Sequence, residues 1–232
     1  MKLAILQPSY LPWLGFFDQM ARVDRFVFLD DVQFTRRDWR NRNKIRTPQG
    51  WAWLSIPVLQ KNQFRQSLKD TRIDSSAPWA RKHREAIRLN YCRAPYFDLY
   101  FPQLESIYNK DFRFLVDACY AGIELMAEAL GIGVETLRAS QIDAPGMKAD
   151  RILALCNRLN ADHYLSGDAA QNYLLAEAFE QRGIALEFQG YQHPEYPQRF
   201  PGFVPYLSTL DLLFNCGESS LSILKQGSGG LS

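Results

Sequence analysis

The chain has 232 residues, 47% hydrophobic and 22% charged, the balance of a globular protein with a sizeable core, which argues against long disorder. A formal net charge of only +2 disfavours a long nucleic acid as partner, because any anion must then be met by a local patch. Cys92, Cys119, Cys156 and Cys216 form no CxxC pair, which argues against a zinc cage or redox pair and fits reduced thiols in the cytoplasm.

Lys2 to Leu6 is a short apolar run stopped by Pro8, which predicts a buried strand. The run is too short for a signal peptide, and no stretch approaches the roughly 20 apolar residues of a membrane span. A helix is expected from Trp13 to Arg22 and a second buried strand at Arg25–Leu29, giving a right-handed parallel βαβ unit. After the first strand, the loop Gln7-Pro8-Ser9-Tyr10-Leu11-Pro12-Trp13-Leu14-Gly15 leaves a carboxyl end, where ligands of open α/β sheets bind. Two prolines stiffen this loop, and Gln7 and Tyr10 offer polar contacts. The plainer reading is a rigid connection whose aromatics pack on the helix.

The second strand runs into Asp30-Asp31-Val32-Gln33. Neighbouring side chains on an extended segment point to opposite sides, so one carboxylate is expected to face a ligand, with Asp31 the choice and Gln33 beside it. A helix cap or a salt bridge to the following arginines is the alternative. Those arginines are dense: residues 36–46 hold Arg36, Arg37, Arg40, Arg42, Lys44 and Arg46 against Asp38 alone, a local +5. Guanidinium forks suit phosphate oxygens and Trp39 suits stacking on a base or sugar, with Asn43 supplying an amide. A solvated charged strand is the usual explanation of such a run. Strands at Lys44–Arg46 and Trp51–Val58 flank the turn Thr47-Pro48-Gln49-Gly50.

Helices are expected near Pro78–Asn90, Tyr96–Tyr108 and Phe112–Leu130, the last capped by Asp111 and ended by Gly131. The βα rhythm then returns: a strand at Val134–Leu137, a helix at Lys148–Leu159, a strand at His163–Leu165, a helix at Ala169–Arg182 and a strand at Ala185–Phe188. This pattern predicts an α/β fold, a Rossmann-like parallel-sheet core carrying a hairpin and a helical insertion. One domain is expected over 1–225, with its helical layer about 76–131, and a flexible tail at 226–232.

Two candidates lie late in the chain. Ser166-Gly167 turns a strand into the next helix, whose free amides favour an anion, although Asp168 with Gln171 resembles a capping box that would satisfy them. His193, in Tyr191-Gln192-His193-Pro194-Glu195-Tyr196-Pro197-Gln198, has the side chain best suited to move a proton near neutral pH. A histidine packed in an aromatic turn is the alternative. The sequence has no Ser-His-Asp order, metal-ligand spacing, Walker pattern or GxGxxG, so the motifs name no cofactor.

These segments together resemble the WbqC-like family. The resemblance is carried by Gln7 through Gly15, Asp30-Asp31-Val32-Gln33-Phe34, Trp39 with Arg42-Asn43, and Asn90-Tyr91 with Ala94-Pro95-Tyr96-Phe97. It continues through Tyr164-Leu165-Ser166-Gly167 to Tyr173-Leu174, His193 to Gln198, and Leu207-Ser208 to Asn215. The resemblance implies a bacterial protein linked to surface-polysaccharide (O-antigen) gene clusters, and it carries over no catalytic residue. The opening strand, loop and helix also look like those of HxGH-type nucleotidyltransferases. Here Trp13-Leu14-Gly15-Phe16 stands in place of their histidines, which argues against adenylyl transfer.

The expected activity is an enzyme acting on a nucleotide-linked or otherwise phosphorylated sugar, with acyl or aminoacyl transfer to an amino sugar as its concrete form. In that reading Arg42 holds phosphate, Tyr10 and Trp39 contact base or sugar, Asp31 orients a hydroxyl or amine, and His193 moves the proton. The other reading is a binding protein without chemistry. Oligomeric state is open to either.

Overall fold

The computed structural model describes residues 1–59, 66–172, 174 and 176–228. Its centre is a sheet of five parallel strands: β1 (Lys2–Leu6), β2 (Arg25–Phe28), β5 (Glu135–Arg138), β6 (His163–Ser166) and β7 (Ala185–Phe188), in the order β5-β2-β1-β6-β7. That is the order of a Rossmann-like core, with β1 at the point where the winding reverses. Separate from it is an antiparallel hairpin, β3 (Arg42–Thr47) and β4 (Gly50–Ser55), closed by the expected turn.

The alternation along β1 divides the core. Leu3 and Ile5 face one cluster with Val27 and Tyr164, covered by α5 (Ala149–Arg158) and α6 (Ala176–Glu180). Ala4 faces the other with Phe26, Phe28 and Leu165. That second face is covered by α1 (Leu14–Ala21), α4 (Leu115–Ala129) and α7 (Thr209–Cys216), with α8 (Ser220–Gln226) beside them. The same apolar cluster takes in α2 (Trp79–Tyr91) and α3 (Phe97–Tyr108) and the buried side of the hairpin, Ile45 and Leu54. Strands with one periodicity thus feed both layers.

Several expectations shift. Asp111 does not cap α4, which starts at Leu115 after an extended Phe114 with no side-chain cap bond. Gly131, at φ +70°, does end it. The helix expected over 169–182 is a 3-10 turn at Asp168–Asn172 followed by the short α6. Tyr173 lies outside the described residues. The helices α7 and α8 have no counterpart among the expected elements. Of the expected tail, Gln226 ends α8, a Cβ on Gly227 would meet Tyr191, and Ser228 bonds Asp18. Among the described residues no helix is long and apolar enough to cross a membrane.

Candidate functional site

The loop after β1 is held in a strained shape from two sides. Leu11 has φ +45°, a region a branched L side chain rarely occupies. Asn43, 1% exposed on β3, donates Nδ2 to the Leu11 carbonyl at 2.7 Å. Arg40 donates Nη1 to Ser9 Oγ at 2.8 Å and to the Gln7 carbonyl at 3.3 Å, while its own carbonyl accepts from Tyr10 N at 3.1 Å. From the other side the Pro12 carbonyl accepts from Thr209 N at 2.9 Å, and Trp13 bridges to Ser208. Hairpin and α7 therefore fix a loop that the central strand delivers to its carboxyl end.

Between this loop and the turn after β6 lies a cleft of about 320 Å³, at the crevice where the strand order reverses. Its volume sits at the small end of ligand sites, enough for a sugar phosphate or part of a larger ligand. Trp13 and Trp39 are its aromatic walls, Arg40 its cation, and Gly167 and Asp168 its far side. Gln19 and Gln189 close the floor. Burial lowers the Arg40 pKa from its ordinary value, which Asp38 at 3.4 Å partly offsets. It is the Arg40 Nε that faces Asp38 Oδ2, as an ion pair without hydrogen-bond geometry. A partly buried guanidinium in a cleft that indoles also line is suited to an anionic group. Asp168 is exposed at the mouth, and its Oδ1 accepts from Gly190 N at 2.9 Å.

Gly15 at the start of α1 is required by close approach. A Cβ there would lie 2.3 Å from the Trp13 ring, so only glycine lets the indole fold back over the helix and line the cleft.

The residues singled out in the sequence divide. Trp39, Asn43 and Gly167 line the cleft, and Ser166, 2% exposed, sits immediately before Gly167. Gln7 contributes its carbonyl to the Arg40 clamp, while its buried Oε1 has no protein partner. Tyr10 turns away: its hydroxyl bonds Tyr108 at 2.6 Å and His83 Nδ1 at 2.9 Å, and burial drives its pKa well above the ordinary value. Arg42 lies outside the cleft, its guanidinium 4.2 Å from the Trp53 centroid and bonded to the Arg37 carbonyl. Arg40 takes the place expected for Arg42. Gln33 is exposed and bridges to Ser67.

The two residues expected to do chemistry do not line the cleft. Asp31 accepts from Arg151 Nη2 at 2.5 Å, tying the end of β2 to α5. Its neighbour Asp30 is buried the other way, accepting from Ser140 N at 2.9 Å, Ser140 Oγ at 2.7 Å and Tyr120 at 3.1 Å. The opposed pointing of the two carboxylates is as expected, but both serve the joint between β2 and β5. His193 stacks on Trp13 at 6.4 Å and packs edge-on to Tyr206 at 5.1 Å. Its Nδ1 lies 2.9 Å from the Pro194 carbonyl, its buried Nε2 has no partner, and burial lowers its pKa. It stands one ring behind the cleft wall.

Arg40, Gln19, Gln189 and Asp168 are the polar residues that carry this site beyond the expected set. Gln189 directly follows the last strand of the sheet, the signal that flagged Gln7 after the first. A wider depression of about 710 Å³ near the start of β1 holds Lys2, Asp18, Arg22 and Glu187. Those four pair among themselves, Arg22 with Asp18 at 3.1 Å and with Glu187 at 2.5 Å, and Lys2 with Glu187 at 2.6 Å. Among the described residues no three His, Cys, Asp or Glu converge on a metal position.

The family described as the WbqC-like protein family matches residues 7–223 of the chain. An uncharacterized protein of Mycobacterium tuberculosis is 35% identical over 228 residues, covering 97% of each chain. No solved structure matches.

Proposed function

The chain belongs to the WbqC-like protein family, and we propose that its switch-point cleft binds a nucleotide-linked or otherwise phosphorylated amino sugar for bacterial surface-polysaccharide assembly. Acyl or aminoacyl transfer to the sugar nitrogen is the reaction we assign. The observation that carries this reading is one partly buried guanidinium, Arg40, in a cleft that two indoles also line, at the carboxyl edge of the parallel sheet. Arg40 would hold the phosphate, Trp39 and Trp13 would cover the sugar or base, and Asp168 at the mouth would receive the amine. The Gln19 amide oxygen would fix the sugar's orientation, on a loop that Asn43 holds in place. The bacterial polysaccharide context comes from the family resemblance, and the cleft chemistry from its residues.

The second reading is recognition of the same ligand without turnover. It is favoured by the placement of Asp31 and His193, neither of which lines the cleft, and by Ser9, whose hydroxyl is already bonded to Arg40.

The test is thermal unfolding against nucleotides, nucleotide sugars and sugar phosphates. A ligand at 100 times its dissociation constant adds roughly 2.7 kcal/mol to a folded state it alone binds. The reading expects a shift with a phosphorylated sugar that is lost in Arg40→Lys and weakened in Trp39→Ala, but kept in Arg42→Ala. A shift lost in Arg42→Ala and kept in Arg40→Lys would move the site out of the cleft. No shift with any phosphorylated ligand would remove the reading. Product formation from an amino-sugar substrate separates the enzymatic version from recognition alone.

A further inference from the structure

The outward face of the hairpin is built unlike a solvated strand pair. Strand alternation places Arg42, Lys44, Arg46, Trp51 and Trp53 on one side, with Lys44 opposite Trp53 in the register and Arg46 buried against the Pro201 and Gly202 carbonyls. The Lys44 ammonium sits 4.5 Å from the Trp51 ring, 5.3 Å from Trp53 and 5.5 Å from Trp39. Arg42 also lies over Trp53, at 4.2 Å. Trp39 and Trp51 remain 38% and 46% exposed, which is costly for indoles that serve only packing. The one carboxylate of the basic run, Asp38, is engaged by Arg40. Among the described residues Lys44 and Arg42 have no ion-pair partner, so two cations stand among open aromatic faces with their charge unmatched.

From this we infer that the hairpin face is a second binding site, for an acidic oligosaccharide. Indole faces stack on the apolar C–H faces of pyranose rings, and Lys44 and Arg42 supply donors for carboxylate or phosphate groups on the chain. Successive ring centroids are 5.3 Å (Trp39 to Trp53) and 5.5 Å (Trp53 to Trp51) apart with the rings inclined at 53° and 81°, so a glycan that bends across the face can meet more than one ring. Trp39 belongs both to this face and to the cleft, which makes the surface continuous with the site that would hold the phosphorylated sugar. The inference rests on the proposed sugar chemistry only for the direction in which the glycan leaves the cleft. The binding itself follows from the hairpin.

Isothermal titration of the full chain with hexagalacturonate, with neutral maltohexaose, and with vesicles of phosphatidylglycerol and phosphatidylethanolamine tests it. Expected are saturable binding of hexagalacturonate that weakens as salt rises, at least tenfold weaker binding in Trp51→Ala and in Lys44→Gln, and no comparable binding of maltohexaose. Both variants should keep any stabilisation by phosphorylated sugars, which depends on Arg40, so failure of the cleft reading and failure of this one give different results. Absent binding of hexagalacturonate, equal binding in both variants, or equal affinity for maltohexaose would each overturn the proposal. Binding of vesicles but not of the oligosaccharide, lost in the same variants, would also overturn it and make the face a membrane contact.

Discussion

Gln19 donates Nε2 to Gln189 Oε1 at 2.7 Å, and this bond fixes which way both amides point. Gln189 spends its own NH2 on the Gly15 carbonyl and on Asp18 Oδ2, each at 2.7 Å, so only its oxygen is left for Gln19. Gln19 must then present its oxygen elsewhere, and that buried atom has no partner in the protein. An acceptor so placed in the cleft floor favours a ligand that brings a donor, such as a sugar hydroxyl or amine.

Replacing Gln19 with Glu would set carboxylate against carbonyl oxygen at this joint. The expected loss is about 1–3 kcal/mol, the cost of a buried polar group left unmatched. Urea unfolding at pH 7 measures it. An unchanged midpoint would mean that the two amides are not locked as described.

Gly15→Ala should displace the Trp13 indole, because the new Cβ would fall 2.3 Å from its ring. Overpacking of this kind costs about 1–3 kcal/mol. Near-ultraviolet circular dichroism should report the moved indole, and affinity for the cleft ligand should fall. Wild-type spectra and affinity in the variant would show that Trp13 does not need the glycine.

Tyr10→Phe separates structure from recognition. It removes the bonds to Tyr108 and His83 and should lower stability by about 1–3 kcal/mol. Because the hydroxyl faces the helical layer, ligand affinity should stay at its wild-type value. A Kd raised tenfold with stability intact would return Tyr10 to the binding site.

Stability in mild acid should reflect two buried groups with opposite signs. Burial pushes Asp211 up to about 6 despite its bonds from Tyr91 at 2.8 Å, Gln198 at 2.9 Å and Tyr196 at 3.0 Å. Between about pH 6 and the ordinary carboxylate range the folded chain takes up a proton that the unfolded chain does not, so this group adds stability as pH falls. Burial lowers His83 to about 4, so between pH 6.5 and 4 the unfolded chain takes the extra proton and stability drops. Each contribution is on the order of 2–3 kcal/mol over its window. Asp211→Asn should therefore lose stability more steeply than wild type from pH 6 to pH 4, and His83→Gln less steeply. Parallel curves for all three chains, measured by urea unfolding, would contradict both assignments.

The main sheet was legible because its strands are apolar runs with sharp ends: Pro8 after β1, and the Asp30-Asp31 pair after β2. The site was legible as loops rather than as side chains. A run of six basic residues does not say which one lines the cleft. That choice depends on the loop after β1 folding back over Arg40, a pairing made about 30 residues away in sequence. His193 was marked by its intrinsic pKa, but its place is set by Trp13 and Tyr206, which no local pattern brings beside it. The helix expected over 169–182 had adequate propensity but is only a 3-10 turn and a short helix in the fold. Gln19 was hidden inside α1, where a polar residue on an otherwise buried helix was the available signal.

The position of β1 has a consequence for how the chain acquires its shape. Lys2–Leu6 pairs with two neighbours, and one of them, His163–Ser166, is made more than 150 residues later. Until then one edge of the most apolar strand has only β2 to pair with, and its free amides and carbonyls are open to other chains. Contacts of such long sequence separation form slowly. The nascent chain should therefore depend on chaperones until β6 has been made, and fragments ending before residue 163 should aggregate where slightly longer ones remain in solution.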